Sequence, residues 1–175
     1  LQMIEAYNEG LKALEEGDVI FAAKNFNIVE NIYPQSIWAP RSILMAAYSY
    51  YIQSYYGDAI SEIERFLKKY PKNKDYAYAY FLLATCYYEL IVDEKKDISP
   101  IMKSKKYFNI IIKKYPKTDF ALDAKYKLLL IDNVMASKEV YIGKYYITKK
   151  KWIPAINRFK NVVENFEESE YVEEA

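Results

Sequence analysis

Histidine is absent from this chain, cysteine occurs once, and 175 residues hold only four glycines and six prolines. Each shortage closes a class of function. Without histidine the commonest general base and metal ligand at neutral pH is missing. No glycine-rich phosphate loop, nucleophile elbow or Cys/His metal spacing occurs. The carboxylate pairs Glu62/Glu64 and Glu167/Glu168 sit in amphipathic text, where such pairs are ordinarily solvated. The expectation is therefore no enzyme, with no catalytic, cofactor-binding or metal-binding residues. Cys86, alone within Leu83-Ala84-Thr85-Cys86-Tyr87-Tyr88, has no partner for a disulfide and reads as a small buried hydrophobe. Apolar residues make up 52 % of the chain, yet no run approaches membrane-spanning length. A formal net charge of +1 leaves no global footprint for nucleic acid.

What the chain has in quantity is repetition. Ala22 to Pro34 is echoed by Ala59 to Pro71, by Ser104 to Pro116 and, more weakly, by Ala155 to Glu167. Each copy opens on a small residue, carries an apolar residue four positions later, and closes on an aromatic corner: Tyr33-Pro34, Tyr70-Pro71, Tyr115-Pro116 and Phe166-Glu167. A small residue admits a second helix closely, position i+4 shares its face, and proline stops the helix. Twelve residues upstream of three of these small residues stand Gly10, Ala47 and Gly143, with Ala84 in the third copy once eight residues are inserted. This marks the first helix of a helix-turn-helix unit. The pattern resembles the tetratricopeptide repeat, though the corners recur at a longer and less regular interval than its unit of about 34 residues. The expected fold is all-α, a right-handed superhelical array of tetratricopeptide-like helix-turn-helix repeats.

The whole of 1–175 is expected to be one such domain, of about four repeats plus the stub of a fifth. An N-terminal half, 1–116, leads into a long helix at 119–149 and a C-terminal repeat at 119–167. First helices are expected at 3–16, 41–55 and 75–91, and the long one is either continuous or two nearly collinear pieces. Asp18 re-caps the chain after Gly17. Residues 92–100 carry an insertion and form the best candidate for a mobile loop. Lys149-Lys150-Lys151 forms a basic turn before the last helix. The opening Leu1-Gln2-Met3 is already helical text, and Tyr171 to Ala175 reads like the start of another helix, so any signal peptide or lipid anchor would lie outside these residues.

Charge is segregated, acidic over 1–36 and 164–174 and lysine-rich over 65–127, which can orient a partner. Twenty tyrosines supply rigid amphipathic contact area suited to peptides and proteins, although most read as core or as composition. By the repeat register, Leu44, Tyr48, Tyr51, Phe81, Thr85 and Tyr88 point into a groove lined by first helices. Some repeats of this class grip a peptide carboxylate with Asn and Lys. The corresponding Asn positions here hold Leu11, Tyr48 and Thr85, which argues against an acidic-tail clamp.

The order and irregular spacing of these motifs resemble the BamD family of outer-membrane assembly lipoproteins, also called ComL or YfiO. The matching text runs from Gly17-Asp18 to Tyr33-Pro34, through Ala47-Tyr48-Ser49-Tyr50-Tyr51, Ile63-Glu64-Arg65-Phe66 and Tyr115-Pro116-Lys117-Thr118, to Tyr145-Tyr146, Trp152, Asn157-Arg158 and Phe166. The resemblance implies a periplasmic scaffold at the outer membrane, lipid-anchored through a cysteine upstream of Leu1. It would dock on a POTRA domain of BamA and on accessory lipoproteins of the same machinery. It would also engage the C-terminal targeting segments of unfolded β-barrel proteins. By the same resemblance Arg158 is the partner-binding arginine, and Tyr33 belongs to the half that meets substrate, with Leu44, Tyr48, Tyr51, Phe81 and Tyr88 as candidate groove residues. The chain departs from the family pattern in the loop around 92–100 and in Glu167 at the last corner. Another periplasmic repeat adaptor, such as one coordinating envelope constriction with peptidoglycan synthesis, stays open as an alternative.

Overall fold

The computed structural model describes residues 2–91 and 97–175; Val92 to Lys96, which carry most of the expected loop, lie outside the described residues. Among the described residues the chain is helical with no strand: α1 Gln2–Glu15, α2 Val19–Ile32, α3 Trp38–Ile52, α4 Tyr56–Lys69, α5 Tyr76–Glu89, α6 Ser99–Lys114, α7 Asp119–Thr148 and α8 Trp152–Asn165. No helix among them is long and apolar enough to cross a membrane. Two compact units result, Leu1–Leu90 with α1 to α5 and Ile91–Ala175 with α6 to α8.

The four echoes end alike. The backbone N–H groups of Tyr33, Tyr70, Tyr115 and Phe166 donate to the carbonyls of Val29, Phe66, Ile111 and Val162, at 3.2, 3.0, 2.8 and 3.0 Å. Their φ angles of −134°, −120°, −129° and −134° leave the helical range. Proline forces that departure on the residue before it in the first three copies. Phe166 adopts it ahead of Glu167, because its ring is buried against Ala136, Val140 and Val162. The aromatic anchor therefore sets the corner where proline is missing.

Three turns joining a first helix to a second are also alike. The N–H groups of Asp18, Tyr55 and Lys151 each reach back five residues, to Ala13, Tyr50 and Tyr146 at 2.9, 3.0 and 2.9 Å. The residue before each is left-handed: Gly17 at φ 82°, Ser54 at 63° and Lys150 at 54°. These are Schellman motifs, which satisfy the last carbonyls of the helix. Asp18 then caps α2 by accepting from the Phe21 N–H at 3.0 Å. Helix α3 starts at Trp38, three residues before the expected position, and the Ser36 hydroxyl just ahead of it accepts from the Ala39 N–H of its first turn at 3.1 Å. Pro40, with no N–H to satisfy, fits the first turn.

In the first unit α2 packs on both α1 and α3, α3 on α4, and α4 on α5; in the second, α7 packs on α6 and α8. The small residues mark close approaches, as their register requires. Ala22, Ala47, Ala59, Ala84 and Ser104 are fully buried. A Cβ on Gly10 would meet the Phe26 ring at 2.9 Å, and one on Gly143 would meet the Phe159 ring at 2.7 Å. After Phe166 the chain runs in turns and not as a helix. Tyr171 and Val172 fold back onto the α7–α8 core, and Lys144 pairs with Glu174.

One carboxylate breaks the apolar pattern. Glu30 of α2 is completely buried, paired with Arg65 at 2.8 Å and with Lys69, and it accepts from the Tyr70 hydroxyl at 3.1 Å. The Tyr70 hydroxyl also reaches the Pro34 carbonyl at 3.0 Å, linking one corner to the next. Arg65 further contacts Asn27 and Glu62, each at 2.5 Å. Burial pushes the Glu30 carboxyl up, but the Lys69 hydrogen bond and the Arg65 and Lys69 charges outweigh it and hold it below the usual carboxylate value.

Candidate partner-docking faces

In the first unit a cavity of ≈ 780 Å³ opens between the start of α3 and the α4–α5 connection. Ile37, Trp38, Leu44, Met45 and Tyr78 give it apolar walls, while Arg41, Lys74 and Asp75 supply charge. Trp38 is fixed by an edge-on contact with Tyr7 at 5.1 Å, and Leu44 is nearly buried as it lines the space. Tyr48 is exposed and Tyr51 half-buried on the same helix. Burial, with the nearby hydroxyl of Tyr48 as the next cause, pushes the Tyr78 phenol up to about 12. Burial and then Glu89 raise that of Tyr51. At neutral pH these phenols are hydrogen-bond donors beside an apolar wall, a surface chemistry suited to a peptide.

The structure thus places Leu44 on this cavity and Tyr48 and Tyr51 close to its Tyr78. Phe81 and Tyr88 are half-buried on α5, and Thr85 is buried with its hydroxyl donating to the Phe81 carbonyl at 2.9 Å. Tyr33 caps α2, half-exposed, and does not line the cavity. Ile37, Trp38, Arg41, Lys74 and Tyr78 line the cavity without belonging to the groove expected from the repeat register. Trp38 to Pro40 precede the helix expected at 41–55, and proline near a helix start is the signal that draws α3 back over them. Cys86 is buried, and burial raises its thiol to about 12, so it stays protonated and unreactive.

In the second unit Arg158 projects from α8 into a recess of ≈ 410 Å³ lined also by Glu139, Tyr146, Pro154, Asn157 and Asn161. Its Nη1 donates to both carboxylate oxygens of Glu139, each at 3.2 Å. The Arg158 side chain is 42 % exposed and that of Glu139 15 %. The inner carboxylate thereby steadies a guanidinium whose other edge faces outward, and a planar fork of five donors can serve two carboxylates at once. The antiparallel return of α8 along α7 creates this pair, and no local sequence signal announces it.

A family model described as YfiO: Outer membrane lipoprotein matches residues 1–175. The outer membrane protein assembly factor BamD of Rickettsia prowazekii is 37 % identical over 169 residues, 97 % of this chain and 67 % of that protein. The protein of the same name from Caulobacter vibrioides is 35 % identical over 169 residues, 97 % of this chain and 55 % of its own length. The chain therefore spans between about half and two thirds of these relatives. Among solved structures, one titled TPR2AB-domain:pHSP90-complex of yeast Sti1 matches with a TM-score of 0.59 over 92 % of this chain and 63 % of that one, at 16 % identity. That likeness concerns the fold, and the helical hairpins are tetratricopeptide-like.

Proposed function

Because the chain belongs to the YfiO outer membrane lipoprotein family, we propose that it is a non-catalytic scaffold for the assembly of β-barrel proteins, working at the periplasmic face of the outer membrane. The family match over the full 175 residues carries this reading. In it, α8 docks on a POTRA domain of BamA through Arg158, which keeps Glu139 on one side and offers its outward edge to a carboxylate of the partner. Charge-assisted, forked hydrogen bonds of this kind give orientation as well as affinity. Unfolded barrel segments engage the first unit, where Leu44 lines the cavity between α3 and the α4–α5 connection and Tyr48 and Tyr51 follow it along α3. Accessory lipoproteins of the same machinery complete the set of partners, and the membrane link is an N-terminal lipid. The free energy of insertion comes from the folding and burial of the partners, since the scaffold contributes only contact surface.

The test is a titration of this chain with the POTRA domains of BamA from the same organism, in parallel with Arg158→Glu. The reading expects the parent to bind and the variant to lose at least about tenfold, or about 1.4 kcal/mol. Equal binding by both would remove Arg158 from the interface. No binding by a helical parent would remove the docking model itself.

A further inference from the structure

The three Schellman turns share one backbone geometry and differ sharply in charge. The first is acidic, with Glu15, Glu16 and Asp18 around Gly17, and the second, Gln53-Ser54-Tyr55, carries no charge. The turn between α7 and α8 consists of Lys149, Lys150 and Lys151, all exposed. None of the three has a carboxylate within ion-pair distance among the described residues, and Lys149 instead lies over the Tyr145 ring at 5.6 Å. The only acid in the second half of α7, Glu139, is engaged by Arg158, and Glu174 is engaged by Lys144. Around the lysines, large apolar groups stand in solvent: Tyr145, Ile147, Trp152 and Ile153, the last 74 % exposed.

The left-handed site of this turn sharpens the point. Gly17 occupies it in the first turn at no steric cost, whereas Ser54 and Lys150 hold it at φ 63° and 54° against the preference of residues with a Cβ, and of these only Lys150 brings a charge. The turn itself is satisfied, the Lys150 N–H donating to the Ile147 carbonyl at 2.8 Å, but no carboxylate lies within ion-pair distance of the Lys150 side chain among the described residues. The backbone geometry serves the turn, whereas the charge serves nothing within it, and a feature the fold does not use points to a functional position.

We propose that the α7–α8 turn is a membrane-surface contact that seats on an anionic phospholipid bilayer. Lysines meet the headgroups, and Trp152, Tyr145 and Ile153 enter the interfacial layer beside them. Charge complementarity selects this occupant: a cluster of uncompensated lysines flanked by tryptophan, tyrosine and isoleucine at the end of a helical hairpin is the composition that favours the boundary between headgroup and acyl chain. This contact is distinct from the docking proposed for Arg158 and does not depend on it.

Co-sedimentation with sucrose-loaded vesicles of phosphatidylcholine, with and without about one third phosphatidylglycerol, tests the proposal. The chain should partition at least tenfold more strongly onto the anionic vesicles and be released by 0.5 M salt. Each lysine near such a surface contributes roughly fivefold, so Lys149→Gln/Lys150→Gln/Lys151→Gln should weaken binding by about a hundredfold. Lys150→Gly separates charge from folding: it should weaken binding about fivefold while the thermal midpoint holds or rises. Brominated lipid should quench tryptophan emission in the parent and fail to do so in Trp152→Phe, which retains Trp38 alone. The proposal is overturned if the parent ignores anionic vesicles, if the triple variant binds as the parent does, or if quenching survives in Trp152→Phe. A turn that binds an acidic protein and not the vesicles would produce the first of these results.

Discussion

Removing both cations from the Glu30 cluster should do more than remove two contacts, and the sign of a third substitution reveals why. Glu30 is fully buried, while the Arg65 and Lys69 side chains are 35 % and 44 % exposed. Loss of either cation alone leaves the other as counter-charge, and partial exposure screens the pair, so each single alanine variant should cost about 1–2 kcal/mol. Loss of both strands a carboxylate in the helix interface with only the Tyr70 hydroxyl, which should cost about 3–5 kcal/mol. Glu30→Gln should therefore destabilise the parent by about 1–2 kcal/mol and stabilise the Arg65→Ala/Lys69→Ala variant by a similar amount. Acid reverses in the same way. In the parent the Glu30 carboxyl is held below 4.5, so its contribution is complete above that value and is lost as pH falls through the folded one. In the double variant burial is left to dominate and the folded value rises above the unfolded one. Lowering the pH from 7 to 5 should then stabilise it. Urea unfolding followed by Trp38 emission in a Trp152→Phe background reports the first unit alone, because the chain has two tryptophans. If Glu30→Gln also destabilises the double variant, or if the double variant loses stability on mild acidification, Glu30 is not an ion held by those two cations.

Two further substitutions test the packing register. Gly10→Ala pushes a methyl group to 2.9 Å from a fully buried Phe26; overpacking of about 1–3 kcal/mol exceeds the helix-propensity gain of about 1 kcal/mol, and the urea midpoint of the first unit should fall. Gly143→Ala meets Phe159 at 2.7 Å, but at the far end of a half-buried ring that can tilt toward water, so the second unit should change by less than about 0.5 kcal/mol in thermal unfolding. In alkali, Tyr70 should stay protonated beyond its neighbours: burial, then the Glu30 charge, raise it from 10.0 to about 12. Its contribution is complete below pH 10 and is lost between 10 and 12, and the late phenolate absorbance step, which Tyr70 shares with Tyr78, should shrink in Tyr70→Phe and vanish in Tyr70→Phe/Tyr78→Phe.

The repeat was legible because its determinants are local and recur: a small residue, an apolar residue one turn on, and an aromatic corner need no knowledge of distant contacts. The buried charge was not legible in the same way. Three positions before each corner aromatic stand Glu30, Leu67, Ile112 and Val163; the position is charged in the first copy only, and it is buried in that copy while Val163 is exposed in the last. The sequence could not supply the partners, since Arg65 and Lys69 face Glu30 only after α3 has intervened and α4 has returned. Arg158 shows the same limit, because Glu139 reaches it only through the antiparallel α7–α8 pair. Tyr33 shows the converse: a conspicuous corner residue with a clear structural duty, ending α2, that stands away from the cavity containing Leu44. In an array built from one repeated unit, residues that keep the register define the scaffold. Those that break it, Glu30 in an apolar column and Lys150 at a left-handed site uncharged in the other two turns, carry what is particular to this chain. Glu30 breaks it inside the fold, where two cations and a phenol answer it. Lys150 breaks it at the surface, where no group of the described chain does, and that difference is the physical ground for looking outside the protein for its partner.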